Sequence, residues 1–336
     1  MGDVNRQIVL TRLPTERLDE SHFEQREGEV PEPGDGEVLC RTRLLSIDAA
    51  NRAWMQGATY RDPITGGQVM AGFALAEVVA SRDDRFVPGD IVEADSGWQD
   101  YAVHRGRALA KVHVRGPLSH HLSVLGITGL TAYFGLGRVG RPVSGETVLV
   151  SAAAGATGNV VGQLAKLAGC RVVGVVGSPD KGEFLTQALG FDAVVSHRDA
   201  NLRGALKAAC PAGIDVYFDN TGGPVLEAAL SRMNQHGRIV CCGVVSQYDT
   251  ANPAPGPRGV PGLLVTKRLR MEGFIVMDYF ADRAAAESEL AGSVADGRLR
   301  VVEDVIPGLE HAPAALVGLL AGDNIGKRMV RVSGDA

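Results

Sequence analysis

The sequence predicts an α/β fold in which a doubly wound parallel sheet is inserted into a small β-barrel domain. Three observations carry that expectation. From about residue 147 to 276, apolar runs alternate with helical patterns, the signature of a parallel sheet. Within that region, Val148–Gly177 joins strand, glycine turn, helix and strand in one βαβ unit. Residues 5 to about 125 instead hold short strand patterns punctuated by glycine and proline. The expected domain plan assigns 1–125 and 301–336 to the barrel domain and 126–300 to the inserted, nucleotide-binding domain. An active site is then expected in the cleft between them, outside the carboxyl ends of the strands.

In chain order, the charged and turn-rich segment 14–38 is expected to wrap the surface before the core. Val38–Cys40 leads through an alternating stretch to Leu44–Ile47, and Gly72–Val79 is the next strand pattern. Pro88-Gly89-Asp90 is a turn into Ile91-Val92, and 97–103 continue the pattern. From Leu118 the pattern turns helical, with Ser119 as a cap and His120-His121 on the helix surface. Residues 138–146 connect to the first strand of the sheet, Val148–Val150. After it, Asn159–Ala168 carries apolar residues at helical spacing and Val172–Val176 is a β-branched run.

Beyond Gly177 the alternation predicts a helix over Lys181–Leu189, a strand at Ala193–Val195 and a helix over Asn201–Ala209. A strand Ile214–Phe218 ends in Asp219-Asn220-Thr221-Gly222-Gly223. A helix over Pro224–Met233 starts with proline in its first turn. Strands Arg238–Gly243 and Met271–Val276 follow, separated by a proline-rich loop at 251–262. A helix over Ala281–Ala295 leads to a tail with one helix and a last strand, Arg328–Val332.

The turn between the first two strands of the sheet carries Ala152, Gly155, Gly158 and Gly162 as A-x-x-G-x-x-G-x-x-x-G. Gly155 is expected to let the chain turn off the strand. Gly158 leaves room for a pyrophosphate near backbone N–H groups, and Gly162 lets the helix pack on the sheet. A glycine-rich strand–helix turn without a ligand is the competing reading, and the strand on either side favours a dinucleotide.

The end of the second strand selects the cofactor. An acid there holds the ribose 2′-hydroxyl of NAD. Here Gly177-Ser178 take its place and Lys181 follows one helical turn on, which points to the 2′-phosphate of NADP. Asp180 is read as a helix cap rather than as that acid. His197-Arg198, just past the next strand, would add positive charge to the same phosphate; a solvated turn is the alternative.

Composition narrows the partners. The chain has 336 residues, is 45% hydrophobic and carries a net charge of −5, so it has no electrostatic footprint for nucleic acid or a membrane surface. Apolar runs stay well short of the ~18 residues of a spanning helix. The N-terminal residues lack the profile of a signal peptide, and a cytoplasmic location follows as the default. Cys40, Cys170, Cys210, Cys241 and Cys242 form no C-x-x-C pair, so neither zinc nor a disulfide framework is indicated.

Over residues 5 to 332 the chain resembles the zinc-independent medium-chain dehydrogenases/reductases, in the branch of curcumin, alkenal double-bond and prostaglandin reductases. The stretches that carry the resemblance are SGWQDY (96–101), GITGLTAYFGL (126–136), 152–178, DNTGG (219–223), CGVVSQYD (242–249), EGFIV (272–276) and EDVIPGLEHAPAALVGLLAGDNIGK (303–327). The resemblance implies a Rossmann domain inserted into a GroES-like β-barrel domain. It implies that Gly155, Ala156, Thr157 and Gly158 hold the pyrophosphate and that Ser178 and Lys181 surround the 2′-phosphate, where His197, which can still donate, stands in place of a tyrosine of many relatives. Asn220, Cys242, Gly243, Val244, Tyr248, Phe274, Ile275, Val276 and Asn324 would line the nucleotide, with Thr131 and Tyr133 beside the nicotinamide. It also implies a homodimer, paired at the edge of the last sheet strand. Two positions depart from the family: Asp48-Ala49-Ala50-Asn51-Arg52 stands for its Asp-Pro-Tyr-x-Arg, and Met277 for a tyrosine of prostaglandin-type relatives. The substrate pocket is therefore expected to differ from theirs.

A metal-free site suits reduction of a C=C bond conjugated to a carbonyl, because the enolate oxygen needs only a hydrogen-bond donor. Tyr248 and Tyr60 are the catalytic candidates; Tyr279, a ribose hydroxyl or water are the alternatives. The expected activity is an NADPH-dependent enone or 2-alkenal reductase acting on a small molecule. A quinone oxidoreductase, a pathway-specific enoyl reductase and a nucleotide sensor with little catalysis stay open.

Overall fold

The computed structural model describes residues 4–334 except 58 and 60. By its contacts the chain divides into two compact units. One holds residues 1–122, 249–251 and 303–336; the other holds 123–248 and 252–302.

The second unit is built on a parallel sheet of strands β9 (Thr147–Val150), β10 (Arg171–Val176), β11 (Ala193–Ser196), β12 (Ile214–Asp219), β13 (Met233–Cys241) and β14 (Arg270–Gly273). Among the described residues their order is β11-β10-β9-β12-β13-β14. Every pairing is parallel. The sheet grows in one direction from β9 through β11 and in the other from β12 through β14, so its topological switch lies between β9 and β12.

The strands are apolar on both faces because both are covered. Val148, Val150, Val172, Val216 and Phe218 pack with Val160, Val161 and Ala165 of helix α3 (Ala156–Leu167) and Leu290 of α8 (Arg283–Ala295). Leu149, Val173, Val175 and Tyr217, in the alternate register, pack with Leu206 of α5 (Leu202–Ala209) and Leu226 of α6 (Gly223–Arg232). A methyl group on Gly162 would overlap the Phe191 ring, so that glycine sets how closely α3 lies on its neighbours.

The first unit is mostly antiparallel. β1 (Val4–Leu10) pairs with β2 (Phe23–Glu29) and with β4 (Gln68–Val69). A second sheet, with β3 (Glu37–Ser46) near its centre, joins β5 (Ala74–Ser81), β6 (Ile91–Ala94), β7 (Tyr101–Arg105), β8 (Ala110–Lys111), β15 (Glu303–Pro307) and β16 (Lys327–Arg331). Trp54, Trp98, Leu45, Val330 and Leu316 meet in its main core, the last from α9 (Ala312–Ala321).

Several elements differ from the sequence expectation. The charged segment 14–38 contains β2, exposed along most of its length but held by the full β1 ladder. The Asp48–Arg52 segment forms a short helix, α1 (Ala49–Ala53). The tail carries β15, whose EDVIP pattern lacks alternation and which forms by pairing parallel to β16. The last sheet strand stops at Gly273 rather than Val276, because its partner β13 stops at Cys241 and leaves no ladder to continue. Val276–Asp282 then form a 3-10 helix ahead of α8. Leu118–His121 is also 3-10, capped by Pro117 rather than Ser119. His121 is buried, and its Nε2 accepts the Arg115 N–H at 2.9 Å, so it is not a surface residue.

Candidate functional site

The phosphate turn runs from Ser151 to the start of α3. Gly155 is the N-cap of α3, in extended conformation, and no side chain caps this end. The first-turn N–H groups of Ala156, Thr157 and Gly158 therefore keep the donor capacity and partial positive charge of a helix N-terminus. The glycines do this in a different way from that expected. The left-handed residue of the turn is Ala152, at φ 48°, while Gly155 has an ordinary φ of −78°. A methyl group on Gly158 would overlap the Ala152 carbonyl oxygen and lie 2.9 Å from Ala153 Cα. Gly158 is thus required by the turn's own backbone before any ligand arrives.

At the end of β10, Ser178 occupies the N-cap position of helix α4 (Pro179–Ala188) with no side-chain capping bond, Pro179 is its first residue, and Asp180 lies inside the first turn. The His197 N–H donates to the Val176 carbonyl at 3.0 Å, which brings the imidazole over Gly177. A methyl on Gly177 would stand 3.0 Å from His197 Nε2. Burial pushes the His197 pKa down, and the charges of Arg198 and Lys181 push it the same way. Lys181, Arg198 and His197 therefore share one electrostatic neighbourhood around Gly177-Ser178. A cationic pocket with no acid at the strand end fits a phosphorylated ribose.

Ser151, Asp219 and Asn220 meet at the switch between β9 and β12. The Asn220 N–H donates to Ser151 Oγ at 2.9 Å, and its Nδ2 donates to the Ser151 carbonyl at 2.7 Å. Asp219, 2% exposed, accepts at Oδ1 from Tyr217 OH, Ser151 Oγ and the N–H groups of Thr221 and Gly222. Its own carbonyl accepts from Cys242 and Gly243 N–H at 2.9 and 3.1 Å. Val245 and Ser246 N–H donate to the Asn220 and Thr221 carbonyls. The loop after β13 is thereby hung on the loop after β12, and it carries Val244 and Tyr248 at the carboxyl edge of the sheet. Sequence reasoning does not single out Ser151 or Asp219; the order Asp-Asn at a strand end is the only signal it offers.

The remaining residues are distributed as follows. The Cys242 thiol, half-buried, is pushed up to about 12 by desolvation, which leaves it protonated and unreactive. Burial also raises the Tyr248 phenol, against a hydrogen bond with the Val244 backbone. The Phe274 ring packs against Phe218 and Tyr279, and a methyl on Gly135 would overlap it. The Phe274 ring is thus packed within its unit, beside exposed Ile275 and buried Val276. Tyr133 donates to Glu289 Oε2 at 2.6 Å, and Thr131 Oγ1 to the Ile127 carbonyl. Tyr279 stacks on Phe134 at 5.2 Å. Asn324 lies in the first unit, its amide donating to the Gly326 carbonyl at 2.8 Å. Tyr60 lies outside the described residues. Among those described, no three His, Cys, Asp or Glu side chains come together in a way that could hold a metal ion.

Known proteins share this arrangement along nearly the whole chain. Residues 6–112 match the family described as the N-terminal domain of oxidoreductase, and residues 156–291 match that described as zinc-binding dehydrogenase. The chain is 41% identical to an NADPH-dependent curcumin reductase of Escherichia coli over 98% of both chains. It is 40% identical to an NADP(+)-dependent 2-alkenal reductase of Nicotiana tabacum, again over 98% of each. A solved structure of CurA from Vibrio vulnificus in complex with NADPH has a TM-score of 0.93 and 37% identity, covering 98% of this chain and 100% of that one. Identity at this level, end to end, with the same doubly wound sheet and N-terminal unit, means that the chain belongs to the medium-chain dehydrogenase/reductase family.

Proposed function

We propose that this protein uses NADPH to reduce the C=C bond of α,β-unsaturated aldehydes and ketones. The observation that carries the reading is the full-length similarity to reductases of curcumin and of 2-alkenals, compounds that share a C=C bond conjugated to a carbonyl. Bound NADPH supplies the hydride for the β-carbon.

The uncapped N-terminus of α3, from Gly155 through Gly158, holds the pyrophosphate. Ser178, Lys181 and His197 hold the 2′-phosphate, supported by their shared neighbourhood with Arg198 around Gly177. Asn220, Cys242, Gly243, Val244 and the Phe274–Val276 segment line the rest of the nucleotide. Asn220 does so with one amide N–H committed to Ser151, which leaves its second N–H and its carbonyl oxygen to offer. The chain must also stabilise the oxygen on which negative charge develops, and donate a proton to the α-carbon. Tyr248 is the first candidate for that donor: it stands on the loop after β13, at the carboxyl edge of the parallel sheet where sites gather. Tyr60 is the second candidate, on the family resemblance alone.

We also infer a homodimer formed through the outer edge of β14, which lies at the end of the sheet among the described residues. A cytoplasmic location fits five free cysteines, four of them with thiols pushed up to about 11 or 12.

The test is NADPH oxidation against a panel of enals, enones, quinones and simple ketones. Turnover of enals and enones, with reduction at the C=C bond shown by product analysis, is the expected result. Turnover confined to quinones, or none with any acceptor, overturns the reading.

A further inference from the structure

We propose that Arg52 is a positioning residue for this reaction: with Asp249 it forms a buried clamp that fixes the main chain beside Tyr248. The inference rests on the reading of Tyr248 as the donor and extends it to how that tyrosine is held.

Arg52 lies in α1 and is 2% exposed. Its Nε donates to Asp249 Oδ1 at 3.0 Å and its Nη2 to the Glu16 carbonyl at 2.9 Å. The same Asp249 oxygen accepts the Leu18 N–H at 2.6 Å. Arg52 thus joins three separate parts of the chain: α1, the 16–18 segment and Asp249.

The support beneath it is fixed. Lys327 Nζ donates to Asp48 Oδ1 at 2.5 Å and to the Ile47 carbonyl at 3.0 Å, ahead of α1. The Asp48 N–H donates to Asn51 Oδ1, and Asn51 Nδ2 reaches the Ala71 carbonyl. These bonds leave α1 little freedom to rotate, so the guanidinium is presented from a rigid element.

Asp249 has φ 55°, the left-handed region that residues with a Cβ adopt at a cost. Two hydrogen bonds on one carboxylate oxygen hold it there. On the other side of Tyr248, Val245–Gln247 form a 3-10 turn, and the Tyr248 N–H donates to the Val245 carbonyl at 3.1 Å. That turn is itself tied to Asn220 and Thr221. Tyr248 therefore stands between two anchored residues, with only its own torsions left to vary.

Stability alone does not account for an arginine here. Its Nη1 is buried without a hydrogen-bond partner among the described residues. A buried guanidinium with an orphaned donor is a poor choice for holding a fold together compared with an apolar side chain of similar size. What it does supply is a fixed direction, and the backbone it directs is that next to the donor.

The experiment measures kcat and KM for an enone, the Kd of NADPH and the melting temperature. The variants are Arg52→Lys, Asp249→Gly, Tyr248→Phe and each double with Tyr248→Phe. Asp249→Gly removes the acceptor and adopts the left-handed backbone without strain, so it serves where Arg52→Lys folds poorly. Misplacing the donor lowers kcat on the order of 10- to 100-fold. NADPH Kd stays within about twofold, and in the Tyr248→Phe background the clamp variants cost at most about twofold more. A merely structural clamp would instead reduce the Tyr248→Phe enzyme by the same factor as wild type, which overturns the proposal. So does wild-type kcat in both single variants. Full kcat in Tyr248→Phe overturns the donor reading itself, independently of the clamp.

Discussion

Replacing Gly158 by alanine separates two explanations of the phosphate turn. If the glycine exists to leave room for pyrophosphate, the free protein is indifferent to the change and only cofactor affinity suffers. The structure points the other way. The new methyl would overlap the Ala152 carbonyl oxygen, and Ala153 Cα and Ala152 C would lie 2.9 and 3.0 Å away, all backbone atoms. No rotamer relieves such a contact, so the turn itself must open. An overpacked methyl costs about 1–3 kcal/mol, and rigid backbone on the other side puts this one at the upper end. Alanine in a helix interior returns about 1 kcal/mol over glycine. The net loss of about 2 kcal/mol lowers the melting temperature of a unit this size by roughly 4–8 °C.

Gly155→Ala is the internal control. Its methyl would meet only the Ala152 carbonyl oxygen, at 3.2 Å, and its φ is ordinary for any residue. The cost there is that of a poorer N-cap, about 1 kcal/mol at most. Calorimetry of the cofactor-free variants, with NADPH titrations alongside, gives the comparison. A Gly158→Ala protein that melts with wild type, yet binds NADPH more weakly, refutes the steric argument.

Lys181→Ala is expected to weaken NADPH on the order of 10- to 100-fold, the worth of a charge-assisted hydrogen bond, while NADH changes little; equal losses on both cofactors in a binding titration would remove Lys181 from the 2′-phosphate. His197 gives a pH-dependent prediction for the free protein. Burial, Arg198 and Lys181 hold its pKa below the ordinary 6.5, so the unfolded chain takes up the proton first. Wild type should therefore lose stability relative to His197→Asn as pH falls from 6.5 through the lowered value, with no pH-dependent difference above 6.5. Thermal melts from neutral to mildly acidic pH check this, and a wild-type advantage that grows on acidification contradicts it.

The parallel sheet was legible because β-branched runs and helical spacing alternate without interruption from Val148 to Phe218. The segments that were not legible owe their conformation to distant partners. β15 exists through its pairing with β16, and nothing in EDVIP announces a strand. β2 is a charged, exposed run that becomes a strand on the β1 ladder. β14 ends short of Val276 because the ladder stops at Gly273 while hydrophobicity continues past it. At the site, Lys181 and the missing strand-end acid could be read from spacing alone. The His197 ring over Gly177 could not, since it depends on β11 lying beside β10.

The same reasoning explains why Ser151 and Asp219 stay silent in the sequence. Sixty-eight residues separate them, and although Asp219 opens the DNTGG stretch, nothing in its spacing pairs it with Ser151. Their meeting follows from register: Val150 pairs with Phe218, so the next residue of each strand falls side by side at the one place where the sheet reverses its order. Asp219 then accepts five donors at a single oxygen, and Asn220 is fixed through both its N–H and its amide. An oxygen so engaged acts on structure. It sets the two loops that carry Asn220 and the stretch from Cys242 to Tyr248, and through them the groups proposed to meet cofactor and substrate. The chemistry proposed for this chain therefore hangs on how Asp219 holds these two loops.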